Sequence, residues 1–177
     1  MRIGISGTNW TGKTTTVDTF CARHQDYSIA RIALKDLVER SPFPMMENQT
    51  PDGSRWITEQ LSPLLESAGP FTVFDRCPLD VLAFSLYSFE RNEIAPEDVL
   101  VRGLIELAQR FDVLFYCSPS DEWPPVAFPG TAKVGFALLM DWYMRRAIRT
   151  YGLEARALPW SLADRQRVLD RLLPAQG

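Results

Sequence analysis

Residues 7–14 read Gly-Thr-Asn-Trp-Thr-Gly-Lys-Thr and satisfy G-x-x-x-x-G-K-[ST] at every specified position. No other stretch constrains the fold as much, because the pattern works only between a buried strand and a helix. Arg2–Ser6 ahead of it is a short apolar run suited to such a strand, and Thr14–His24 behind it reads as a helix. Gly7 and Gly12 let the backbone turn back so that successive N–H groups face inward on an anion. The helix that follows aims the positive end of its dipole at the same place. Candidate phosphate-binding residues are therefore Gly7, Thr8, Asn9, Trp10, Thr11, Gly12, Lys13, Thr14 and Thr15. Lys13 is expected to reach the terminal phosphates, and the Thr14 hydroxyl to serve Mg²⁺. The ligand implied is a nucleoside triphosphate.

The rest of the chain fits an α/β domain. Apolar runs at Phe71–Asp75, Asp112–Cys117 and Glu154–Leu158 predict further strands, with Tyr27–Ala33 a fifth candidate. Helices are expected over Ser54–Ser67, Leu79–Arg91, Pro96–Arg110, Lys133–Tyr151 and Leu162–Leu173. In the fourth of these, Lys133–Tyr151, the apolar face is read as Leu138, Leu139 and Trp142, which leaves Arg145, Arg146 and Arg149 on the surface. Ser41–Gly53 and the proline-rich Ser118–Gly130 read as irregular. At 177 residues, without repeats, the expectation is one domain over 1–177. A net charge of −3 argues against a protein devoted to coating nucleic acid. Cys21, Cys77 and Cys117 have no metal spacing and read as reduced thiols, hence a cytoplasmic location. No signal-peptide pattern or membrane-length apolar run is visible.

A second constellation stands at the end of the strand Phe71–Asp75. Asp75-Arg76-Cys77-Pro78-Leu79-Asp80 follows an apolar run, and in open α/β sheets ligands bind beyond the carboxyl ends of strands. Asp75 there is placed either to hold Mg²⁺ or to accept a proton from an attacking hydroxyl. Arg76 is placed to neutralise phosphate charge. Asp75 as a helix cap and Arg76 as a surface ion-pair partner are the plainer readings. Asp80 is expected either to cap a helix or to pair with an arginine.

The run Asp-Arg-x-Pro-Leu-Asp-x-x-Ala-Phe (75–84), together with the loop at 7–14, resembles the small P-loop kinases of the nucleoside and nucleotide kinase superfamily. The likeness is greatest to ribosylnicotinamide kinase-like domains, then to deoxynucleoside and thymidylate kinases. The resemblance implies a P-loop NTPase fold, a three-layer α/β/α arrangement with a five-stranded parallel sheet of order 2-3-1-4-5. It implies Lys13, Asp75 and Arg76 as catalytic residues, Thr14 and Asp75 at the metal, and ATP and Mg²⁺ as cofactors. It also implies a lid after the fourth strand, at 118–133. Lids of this group carry arginine, whereas 118–133 has none, and Lys133 is its only cation. Lys133 is expected either to contact the nucleotide in place of that arginine or to be a solvated lysine opening a helix.

The acceptor region implied by the resemblance offers Lys35, Asp36, Glu39, Arg40, Glu47, Asn48, Gln49, Arg55, Trp56 and Gln60. Trp56 and Gln60 share a helical face, as stacking surface and amide or as core and solvent residues. The leading expectation is phosphoryl transfer from ATP to a nucleoside, nucleotide or related small molecule. Phosphorylation of a hydroxymethylated pyrimidine in bacteriophage DNA is an alternative, with seven arginines against three acids in 145–171 as a possible basic face. A regulatory P-loop protein without acceptor phosphorylation is the third. Partners expected are the triphosphate and a small acceptor, with no membrane; a DNA acceptor and a homodimer remain open.

Overall fold

The computed structural model describes residues 1–31, 34–120, 123 and 131–173. Five strands, β1 (Arg2–Gly7), β2 (Ser28–Arg31), β3 (Thr72–Asp75), β4 (Val113–Cys117) and β5 (Ala155–Leu158), form one sheet. All four pairings are parallel and the order is β2-β3-β1-β4-β5. This is the architecture the resemblance implied. Parallel strands need crossovers, and the sheet must be covered on both faces. Among the described residues seven helices do this: α1 (Lys13–Arg23), α2 (Leu34–Arg40), α3 (Pro51–Ser67), α4 (Pro78–Arg91), α5 (Asp98–Ala108), α6 (Thr131–Tyr151) and α7 (Leu162–Asp170).

Strand alternation divides the core in two. Ile3, Ile5, Val73, Phe115 and Leu158 point to one face, where Val17 and Phe20 of α1 and Leu169 of α7 cover them. Phe74, Leu114 and Tyr116 point to the other, against α3, α4, α5 and α6. Register places Gly7 opposite Cys117 and Ile5 opposite Asp75, so the phosphate loop and the Asp75-Arg76 corner leave the same sheet edge side by side.

Four sequence expectations need correction. Helix α2 was not foreseen. The segment 41–53 is not wholly irregular: it holds a 3-10 turn at Met46–Asn48, and α3 starts at Pro51. Thr50 caps α3, accepting the Gly53 N–H at 3.2 Å, with Pro51 in the first turn where its missing N–H costs nothing. Helix α6 turns the opposite way from expectation. Ala137, Met140, Tyr143, Met144 and Ala147 are buried, whereas Leu138, Leu139 and Trp142 are exposed.

Gly7 has φ 145, and a Cβ there would lie 2.4 Å from the Cys117 carbonyl oxygen. Strand β4 therefore closes against the loop only because residue 7 lacks a side chain. Gly7→Ala is expected to cost roughly 2–4 kcal/mol of stability, the sum of backbone strain and overpacking. Denaturant unfolding checks it, and a loss under half a kcal/mol would contradict the close approach.

Candidate active site

The phosphate loop is held by its own polar groups. Thr11 Oγ1 donates to the Thr8 carbonyl at 2.8 Å, and Thr8 Oγ1 donates to the Ala137 carbonyl on α6 at 2.7 Å. Gly12, at φ 77, forms the N-cap of α1. That helix has no side-chain cap bond and no acidic residue in its first turn, so its leading N–H groups are left for an anion. Lys13 is buried, and its Nζ donates to the Thr8 carbonyl at 2.6 Å.

Burial lowers the Lys13 pKa from its ordinary 10.5 to about 8, and Arg76 adds to the effect. Asp80, Cys117 and Asp75 pull the other way. A buried ammonium short of counter-charge gains most from an incoming phosphate. Binding should therefore raise this pKa and draw in a proton. Nucleotide affinity is expected to hold below pH 8 and to fall above it, by up to about tenfold per pH unit. The ligand-free fold moves the other way. Its folded-state pKa lies below the unfolded one, so this lysine opposes folding below pH 8 and ceases to as pH rises toward 10.5. Calorimetry at pH 8–9 in buffers of differing ionisation heat would read the proton uptake; none would refute the account.

The second constellation meets the loop directly. Thr14 Oγ1 donates to Asp75 Oδ2 at 2.6 Å, which places two hard oxygen donors side by side at the mouth of the loop. Arg76 has φ 85, an unusual conformation for a side-chain-bearing residue, and its N–H donates to the Ile5 carbonyl. Its guanidinium donates to Asp80 Oδ1 at 3.1 Å and to Asn9 Oδ1 at 2.7 Å. Asp80 is fully buried and also accepts the Cys77 N–H at 3.0 Å, capping α4. Both expectations for Asp80 are met at once, and Asp75 is not the cap. The Trp123 indole N–H donates to the Asn9 carbonyl at 3.2 Å, so Asn9 joins the loop to Arg76 and to the segment after β4.

Other sequence candidates stand apart. Thr15 is exposed on α1. Lys133 is exposed in the first turn of α6 and makes no ion pair with a described residue. The lid expected at 118–133 falls mainly on 121, 122 and 124–130, which lie outside the described residues, as do the side chains of Lys35 and Asp36. Arg55 is engaged by Glu97 at 2.9 Å and by Asp52, away from the loop. Arg91 donates to Asn48 Oδ1 and the Glu47 carbonyl. Gln49 is buried on Ser54, and Glu39 and Arg40 are exposed at the end of α2. Trp56 packs on the core, which favours its core reading, and Gln60 is half-buried. Near the corner, Val38, Met45, Met46, Gln49, Ile57, Val81 and Phe84 line a small apolar recess. The arginines of 145–171 are dispersed: Arg145 pairs with Asp141, Arg146 with Glu90, Arg167 with Asp164, and Arg165 is buried.

Solved structures share this fold. Deoxyadenosine kinase from M. mycoides with bound dCTP superposes at a TM-score of 0.64, with 15% identity over 97% of this chain and 98% of its own. Thymidylate kinase from Candida albicans gives 0.66 at 11% identity, over 97% and 89%. The fold is that of the nucleoside and nucleotide kinases. The NadR protein in complex with NR gives 0.67 at 20% identity, but over 97% of this chain and only 50% of that one. No family model and no curated protein matches the chain. At these identities the likeness carries the fold, and function must be argued from the site. Among the described residues no helix is long and apolar enough to cross a membrane.

Proposed function

We propose that this chain is an ATP- and Mg²⁺-dependent phosphotransferase that passes the γ-phosphoryl group to a hydroxyl or phosphate of a nucleoside, nucleotide or related small molecule. The observation that carries the reading is the 2.6 Å contact between Thr14 and Asp75. It brings the phosphate loop and the β3 carboxylate to one point, as a P-loop Mg²⁺ site requires, and Arg76, bonded to Asn9 of the loop, adds a cation beside it.

Thr14 and Asp75 would hold Mg²⁺, two protein oxygens being a usual share for an ion that keeps water and takes phosphate ligands. Bound there, Mg²⁺ supplies charge neutralisation at the phosphoryl oxygens. Lys13 would exchange the Thr8 carbonyl for the terminal phosphates. Arg76, held by Asp80 and Asn9, would face the transferring group. Asp75 would receive the proton of the acceptor hydroxyl as its oxygen bonds to the γ-phosphorus. The bond from the γ-phosphorus to the bridging oxygen then breaks, and ADP departs with that electron pair.

The test incubates the protein with Mg²⁺-ATP and a panel of nucleosides, nucleoside monophosphates, nicotinamide riboside and a duplex carrying 5-hydroxymethyluracil. Mass spectrometry reads the products, with Lys13→Ala and Asp75→Asn as controls. A phosphorylated product absent from both controls supports the proposal and names the acceptor. ATP bound without transfer to any acceptor would favour a regulatory P-loop protein.

A further inference from the structure

Arg165 of α7 is 2% exposed, 154 residues from the phosphate loop in sequence, and touches it. Its Nη1 donates to the Thr11 carbonyl at 2.6 Å and to Thr16 Oγ1 at 3.1 Å, and its Nε donates to the Pro159 carbonyl at 2.6 Å. The guanidinium lies 5.7 Å from the Trp160 ring centroid. Among the described residues it has no carboxylate partner. Buried arginines ordinarily carry one, because an uncompensated charge in the interior is costly. Every partner here is a carbonyl, a hydroxyl or a ring face.

The peptide linking Thr11 to Gly12 is planar and trans, so its C=O and N–H point in opposite directions. Arg165 takes that carbonyl, so the Gly12 N–H points away from Arg165. A phosphate on that side would meet the N–H. Close approach also explains residue 12: a Cβ on Gly12 would lie 3.1 Å from Arg165 Nη1. The charge is near the site as well, since Arg165 and Lys13 both act electrostatically on Cys117.

We propose that Arg165 is a positioning residue for the polyphosphate of the nucleotide: it fixes the Thr11–Gly12 peptide with its N–H toward the phosphates, and its unneutralised charge backs the loop. The proposal rests on the triphosphate-binding reading above. It makes the last helix, and the Trp160 loop ahead of it, part of the phosphate cradle.

The experiment measures ATP, ADP and AMP binding to wild type, Arg165→Met and Arg165→Lys, with folding checked by amide chemical-shift dispersion. For a folded Arg165→Met protein, ATP affinity is expected to fall about 10- to 100-fold and AMP affinity by less than threefold, as for loss of a charge-assisted contact acting on the polyphosphate. Arg165→Lys keeps the charge but not the fork of donors, and should fall between; it also serves where the Met variant does not fold. In wild type the Gly12 amide should shift and exchange more slowly with ATP than with AMP. Equal weakening of ATP and AMP would mark a merely structural role and overturn the proposal, as would a Gly12 amide indifferent to ATP. Unchanged ATP affinity in folded Arg165→Met protein overturns this proposal alone. Wild type that binds no triphosphate overturns the phosphotransferase reading itself.

Discussion

Asp75→Asn is expected to lower the rate of phosphoryl transfer by about 10²- to 10⁴-fold, the usual worth of a positioned general base. Asparagine keeps the shape and an oxygen for the Thr14 hydroxyl, so the 2.6 Å contact between the loop and β3 has a neutral substitute. What is lost is the negative charge, and with it a metal donor and a proton acceptor. Binding of nucleotide without Mg²⁺ should therefore stay within a few-fold of wild type, because the phosphate contacts lie with Lys13 and the loop. Single-turnover transfer from ATP, to the acceptor found by the panel or to water, gives the rate. Raising Mg²⁺ separates the two roles of the carboxylate. Recovery at high Mg²⁺ identifies a metal donor, and a defect that persists at saturation identifies a base. A rate within tenfold of wild type at ordinary Mg²⁺ would remove Asp75 from the chemistry.

The strands and the two motifs were legible because both depend on local pattern, whereas the sheet order came only from the family resemblance those motifs carry. A buried parallel strand is a short apolar run, and a phosphate loop is a fixed spacing of glycines and lysine. Helix α3 shows a signal that was available and overlooked: Thr50-Pro51 is an N-cap followed by proline in the first turn. Helix α6 shows one that was not. Leu138, Leu139 and Trp142 are among its large apolar side chains, yet the inward stripe uses Ala137, Met140, Tyr143, Met144 and Ala147. Buried Asp141 breaks that stripe in sequence. In space it accepts from the Tyr116 hydroxyl and pairs with Arg145 at 2.8 Å, and burial still raises its pKa. Hydrophobic periodicity has no means of reading a carboxylate satisfied by a strand 25 residues away.

For the candidate site the sequence offers a list of residues, and the contacts among them were not legible in it. Trp10 and Arg76 adopt φ 63 and 85, and neither residue type advertises a left-handed backbone. Arg165 is one of the seven arginines that the sequence offers as a possible basic face, because charge composition cannot tell a solvated guanidinium from one enclosed by carbonyls. One hint did exist: Arg165 and Leu169 share a face of α7 at i, i+4, and Leu169 is fully buried.

Asp80→Ala is expected to destabilise the fold by about 3–5 kcal/mol, the cost of stranding one partner of a buried ion pair. Two bonds go together. Arg76 loses the carboxylate at 3.1 Å, and the Cys77 N–H at the start of α4 loses its acceptor at 3.0 Å. Asp80→Asn can still accept from Cys77, so it should retain the cap and recover part of the loss, which denaturant unfolding of the two variants would resolve. The consequence reaches the phosphate loop through charge. Arg76 pushes the Lys13 pKa down and Asp80 pushes it up. Removing Asp80 takes away the largest of the charges opposing it, so Lys13 should lose its proton at lower pH than the wild type's value of about 8. In a folded Asp80→Asn protein, nucleotide affinity should begin its decline correspondingly earlier as pH rises. If that decline begins where it does in wild type, Asp80 acts only as the cap of α4, and the chain of charges from Asp80 through Arg76 to Lys13 does not operate.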